Sequence, residues 1–92
     1  MATIDVQAFD ETELDALQLD DDLEIPRIRL TMEQSPPYHE IKVGNQAYRY
    51  ERSYPIKGHG ATLPRFAREQ LAAGKQTLVV ERRDRFLVYV SV

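Results

Sequence analysis

The chain has 92 residues, no cysteine, and twelve Lys and Arg against fifteen Asp and Glu, for a formal net charge of -3. A chain of this size buries roughly 65% of the surface its unfolded form exposes, which allows one modest core and not two. Disulfides, thiolate metal sites and cysteine nucleophiles are excluded, and no apolar run is long enough to span a bilayer. The opening MATIDVQAFDE has neither the basic n-region nor the apolar h-region of a signal peptide, so the expectation is a soluble, cytoplasmic protein with no membrane partner.

The mild net charge hides a division. Residues 1–24 hold nine acidic groups and no Lys or Arg, whereas residues 25–92 hold all twelve basic groups against six acids. Read this way, the chain is an acidic arm, -9, joined to a basic body, +6. Such asymmetry steers either the arm onto the body or the body onto an anionic partner. The plain competing reading is a solvated acidic tail that keeps the protein soluble.

In chain order, Ile4, Val6 and Ala8 alternate with Asp5 and Gln7, which suits a short edge strand. Asp10 and Glu13 have the spacing of a capping box, and Leu14 and Leu17 lie three apart, so a short amphipathic helix is expected over Glu11–Leu19, stopped by Asp20-Asp21-Asp22. From Arg27 to Met32, Ile28, Leu30 and Met32 alternate with Arg27, Arg29 and Thr31, a strand buried on one side. Ser35-Pro36-Pro37 is a turn, and Tyr38–Val43 resumes the alternation. Gly44-Asn45 is the two-residue turn of a hairpin whose return strand runs from Gln46 to Ser53, with Tyr48, Tyr50 and Arg52 on one face. Tyr54–Ala61 reads as a loop. A helix follows, capped by Thr62 and stopped by Gly74, with Leu63, Phe66, Ala67, Gln70 and Leu71 at i, i+3, i+4, i+7 and i+8, so that Phe66 and Leu71 are expected to anchor its apolar stripe on the sheet. Thr77–Glu81, a charged turn at Arg82-Arg83-Asp84-Arg85, and Phe86–Val92 close the chain. The last strand is apolar enough on both faces to be central.

This order predicts an α+β domain of about five strands over residues 25–92, with one helix between strands 3 and 4, preceded by the acidic arm. A small, mainly antiparallel sheet with the helix across one face satisfies it. In its order of elements the body also resembles a partly open barrel of the OB type, which implies single-stranded nucleic acid as a ligand.

Candidate chemistry is sparse. His39 and His59 have no HxH, HxxxH or HExxH spacing, and the aspartate triplet lacks the glycine and alternation of a calcium loop, so neither a metal nor a cofactor is expected. Lys57-Gly58-His59-Gly60 offers free amides before a helix and would suit a phosphate or carboxylate, or simply be a flexible loop. Tyr48, Arg49, Tyr50 and Arg52, with Arg27 and Arg29 on a neighbouring strand, interleave aromatic and guanidinium groups as single-strand binders do. The structural alternative packs the tyrosines and solvates the arginines. Arg82, Arg83 and Arg85 place three cations in one turn, a contact for phosphate or acidic peptide or a solubilising tip.

No nucleophile elbow, catalytic triad or carboxylate pair is legible, so an enzyme is not expected. The leading expectation is a non-enzymatic binding or adaptor module with another protein as partner. Its acidic arm, with Phe9, Leu14 and Leu17 among the acids, would dock in a basic groove while the basic sheet makes further contacts. The alternative is a single-stranded nucleic-acid binder autoinhibited by the arm. A metal-independent nuclease using His59 rests on the least. A homodimer is compatible with so small a core.

Overall fold

A computed structural model describes residues 6–29, 38–57 and 62–92. Seven strands and one helix follow in order: β1 (Val6–Phe9), a single 3-10 turn (Glu11–Glu13), β2 (Asp15–Asp20), β3 (Leu23–Arg29), β4 (Glu40–Val43), β5 (Gln46–Pro55), α1 (Thr62–Ala72), β6 (Thr77–Glu81) and β7 (Arg85–Ser91). All strands join one mixed sheet in the order β1-β4-β5-β7-β6-β3-β2, with β1/β4 and β3/β6 parallel. The domain is α+β, but the expected five strands with a helix between the third and fourth are overturned. The helix lies between the fifth and sixth strands, and the acidic segment is no preface, since it supplies both edge strands.

The miscount has a local cause. The Asp10–Glu13 bond forms, with the Asp10 N–H donating to Glu13 Oε2 at 2.9 Å, but it closes only one 3-10 turn. Beyond it the two-residue spacing of Leu17 and Leu19 outweighs the three-residue spacing of Leu14 and Leu17. Leu17 pairs with Ile25 across an antiparallel hairpin, and Asp21-Asp22 is the turn of that hairpin rather than the end of a helix. Pro26 is tolerated in β3 because β6 joins the strand only from Arg27, leaving β2 as its one neighbour there. Leu30–Met32 and the Ser35-Pro36-Pro37 turn lie outside the described residues.

Two apolar clusters fill the two faces of the sheet. On one face Leu23, Ile25, Val79, Phe86, Val88 and Val90 pack under Leu63, Phe66 and Ala67 of α1. Leu71 is 54% exposed and does not anchor the helix. At 3.6 residues per turn it falls roughly 90° from the centre of the stripe formed by the other three. On the opposite face Ile28, Ile41, Val43, Tyr48, Leu78, Val80, Leu87 and Tyr89 are buried, although among the described residues no helix covers them.

The sheet seals that second face by curling. Phe9 ends one edge strand and Asp15 begins the other, so five residues link opposite edges. A flat sheet of seven strands would hold those edges roughly 29 Å apart at about 4.8 Å per strand. Six Cα steps reach at most roughly 21 Å, and the 3-10 turn shortens that. The edges must therefore bend toward each other, which brings Phe9 and Leu14 onto the second cluster beside Tyr38 and Tyr50.

Two turns depend on glycine. Gly44, φ +60°, holds the first central position of the β4–β5 hairpin, as a primed two-residue turn requires. Gly74, φ +79°, ends α1 in a Schellman arrangement, with the Lys75 N–H donating to Gln70 O at 2.8 Å and the Gly74 N–H to Leu71 O at 3.0 Å. A Cβ at Gly74 would meet nothing within 4 Å. Gly74→Ala should accordingly cost only the left-handed backbone penalty, about 1 kcal/mol, read as a lower urea midpoint at unchanged slope. Thr77 is buried and its Oγ1 has no hydrogen-bond partner among the described residues. Thr77→Val should raise stability by about 1 kcal/mol in the same titration, because it removes a desolvated hydroxyl and keeps the shape.

Candidate functional site

The aromatic and basic groups singled out along β5 do not share one face, and the reason is a β-bulge. Along β5, Tyr48 pairs with Ser91 and Tyr50 with Tyr89, but Arg52 pairs with Val88, so Glu51 is an extra residue. One extra residue transfers every later side chain to the other face. Tyr48 and Tyr50 lie on the curled face, whereas Arg52 and Tyr54 move to the helix face, which Arg49 already occupies. The expected common face of Tyr48, Tyr50 and Arg52 is thereby divided.

On the curled face the tyrosines are packed. Tyr48 is 6% exposed, with its hydroxyl 3.4 Å from Gln76 Oε1, and burial pushes its ionisation above the ordinary tyrosine value. Tyr50 meets Tyr89 edge-on at 5.6 Å between ring centroids. Tyr48 therefore presents no open stacking surface, and Tyr50 is half-buried against the same cluster. On the helix face the Arg52 guanidinium lies 4.4 Å over the Phe66 ring, and Arg49 is exposed. Phe9 and Leu14 are half-buried against the curled-face cluster, and Leu17 and Leu19 against the helix-face cluster. The apolar groups of the acidic stretch thus pack on the protein's own sheet.

Arg27 is drawn into a structural ion pair. Its Nε and Nη2 donate to the two carboxylate oxygens of Asp15 at 3.0 and 3.1 Å, and Nη1 donates to Glu81 Oε1 at 3.2 Å. Arg29 stands at the margin of this group, 3.7 Å from Asp15 and 4.0 Å from Glu81. A second tie, invisible to local sequence patterns, clips the helix to the β2–β3 turn: Arg68 donates to Asp20 at 3.0 Å and to Asp22 at 2.7 Å. An open groove of about 710 Å³ borders this tie, with Asp20, Arg65, Arg68 and Glu69 in its lining.

One place does gather charges that lie far apart in sequence. Beyond β5 the Ile56 N–H donates to Asp84 O at 3.0 Å, joining the end of that strand to the β6–β7 turn. The turn is closed by the Arg82 N–H donating to Arg85 O at 2.9 Å. Between them opens a cleft of about 430 Å³ lined by Pro55, Ile56, Lys57, Arg83, Asp84 and Arg85. Three cations and one carboxylate thus share the lining with two apolar residues. Arg85 is oriented from behind, its Nε and Nη2 donating to Ser53 Oγ at 3.3 and 3.0 Å. The basic turn and Lys57 were each visible in the sequence, but their convergence was not, because it depends on β5 pairing with β7 through Pro55 and Arg85. The roles of Ser53 and Ile56 had no sequence signal. His59 lies outside the described residues.

Among the described residues no group of three or more His, Asp or Glu is arranged to hold a metal ion, and no helix is long and apolar enough to cross a membrane.

The Asp15–Arg27 pair carries a pH prediction. The hydrogen bond from Arg27, reinforced by the charges of Arg27 and Arg29, holds the Asp15 carboxyl below the ordinary aspartate value, and Arg27 is raised in turn. A depressed carboxyl contributes stability that is present above its unfolded value, about 3.9, and lost as pH falls through the lower folded value. Unfolding midpoints between neutral pH and strong acid should therefore drop less steeply below pH of about 4 in Asp15→Asn than in the unaltered protein. Equal acid slopes would show that the pair does not couple to folding. Comparison with protein-family models, with curated proteins and with solved structures finds no match to this chain.

Proposed function

We propose that this protein is a non-enzymatic binding module whose ligand is a carboxylate-bearing segment of another protein, taken in the cleft of Lys57, Arg83 and Arg85. The observation that carries the reading is the convergence of these cations in one lining with Pro55 and Ile56. Guanidinium groups pair carboxylates in two-point geometry, and an arginine held by a second group loses less freedom on binding. Ser53 supplies that hold for Arg85. The two apolar lining residues suit side chains interspersed among the acids of a peptide.

A single-stranded nucleic acid needs open aromatic faces beside its phosphate contacts. Packing of Tyr48 and Tyr50, and the separation of both from Arg52, weaken the case for that ligand. Docking of the acidic stretch into a partner's groove loses support for a related reason, since Phe9, Leu14 and Leu17 already pack on this sheet.

The test is a heteronuclear NMR titration of the full chain with a short peptide of alternating glutamate and leucine, beside a single-stranded oligothymidylate of equal charge. The peptide should shift the amides of residues 55–57 and 83–85. Lys57→Glu combined with Arg83→Glu should weaken it by about tenfold or more without changing the unfolding midpoint, since both side chains are exposed. If the oligothymidylate binds as tightly at the same amides, with a steep salt dependence, the ligand is nucleic acid and the protein-segment reading fails.

A further inference from the structure

The two edges of the sheet are built differently. The β2 edge carries Asp15 and Asp20, and its register with β3 breaks between Gln18 and Asp20. Charge and irregularity are the means by which sheets resist pairing with other chains. The β1 edge has neither. Its residues Val6-Gln7-Ala8-Phe9 are uncharged, and all four keep an unbroken parallel register with Glu40–Val43 of β4. Val6 is 37% exposed and Ala8 is exposed. Among the described residues no other strand pairs with β1, so backbone groups on its outer side are placed to extend the sheet.

We propose that β1 is a receptor edge for one strand of a partner protein, and that this strand alternates apolar and polar residues and is flanked by Lys or Arg. The alternation follows from the faces of β1. Gln7 and Phe9 stand beside Ile41 and Val43 on the curled face, where Phe9 is half-buried. Val6 and Ala8 stand beside Glu40 and Lys42 on the other face. An added strand therefore meets the edge of the apolar cluster through Phe9 on one face and the charged margin of Glu40 and Lys42, beyond Val6 and Ala8, on the other.

The basic flanks follow from charge. Asp10, Glu11 and Glu13 are exposed directly after β1, Asp5 directly precedes it in sequence, and no Lys or Arg occurs among residues 1–24. The same charges argue against a second copy as the occupant. A second copy would bring the same acids, with no Lys or Arg among its residues 1–24, against Asp10, Glu11 and Glu13, and like charges brought together destabilise a pair. This surface is separate from the cleft of Lys57 and does not depend on it.

The probe is a synthetic peptide of alternating valine and threonine with lysines at both ends, titrated into the labelled full chain. Amides of residues 6–9 should shift, and binding should weaken by about tenfold or more when alternate peptide amides are N-methylated, because the ladder then lacks donors. Replacing the terminal lysines by glutamates should weaken it comparably, and Glu11→Lys should weaken the lysine peptide by about two- to fivefold. The Lys57→Glu, Arg83→Glu protein should bind the lysine peptide unchanged, which separates this edge from the cleft. Three results each overturn the proposal: no shift at residues 6–9, equal binding of the N-methylated peptide, or sedimentation of the free protein as a dimer with the β1 amides protected from exchange.

Discussion

Five residues, Asp10–Leu14, join strands that lie on opposite edges of a seven-stranded sheet, and much of the rest of the architecture answers to that short link. It is too short to cross a flat sheet, so the sheet must curl, and curling creates an interior on a face that no described helix covers. Ile28, Ile41, Leu78, Val80 and Tyr89 are each no more than 2% exposed there. The opposite face is closed differently, by α1 laid across Val79, Phe86 and Val88. The single modest core expected from chain length is replaced by two small clusters separated by one sheet, because both faces of the central strands β6 and β7 are apolar.

The bulge at Glu51 decides which chemistry reaches solvent. Without it, β5 would carry Tyr48, Tyr50, Arg52 and Tyr54 along one face, a mixed aromatic and basic stripe. With it, the first two rings go into the curled interior and the latter pair onto the helix face. The same strand then ends at Pro55 beside Arg85, which brings Lys57 to the β6–β7 turn. A one-residue irregularity thus dissolves one candidate surface, while the far end of the same pairing assembles another.

What was legible in the sequence follows the range of the interactions. The Gly44-Asn45 hairpin, the stop at Gly74, the central position of the last strand and the apolar stripe of Leu63, Phe66 and Ala67 are local patterns, and they stand as expected. Residues 14–20 misled because LDALQLD satisfies a helical spacing at Leu14 and Leu17 and a strand spacing at Leu17 and Leu19. Only the partner, Ile25 across the hairpin, decides between them. Leu71 misled for a geometric reason, since the rim of an apolar stripe reads like its centre in sequence. The bulge has no signature in YRYERSY, and so the division of faces along β5 was not visible. For the cleft, its charged members could be named but not their meeting, which is a property of strand pairing over roughly thirty residues.

The charge division looks different once it is folded. Asp15, Asp20 and Asp22, three of the nine acids in the first 24 residues, meet Arg27, Arg29 and Arg68 of the body. Those contacts join neighbouring strands or clip the helix to a turn, so part of the opposition between the halves is spent inside the fold. The remaining charges are not evenly mixed. Acids collect around β1 and the turn that follows it, and cations collect where β5 ends against β7. A near-neutral chain can in this way present two faces of opposite sign. Because exposed pairs contribute little to stability, such segregation has little effect on folding and bears mainly on which encounters are productive.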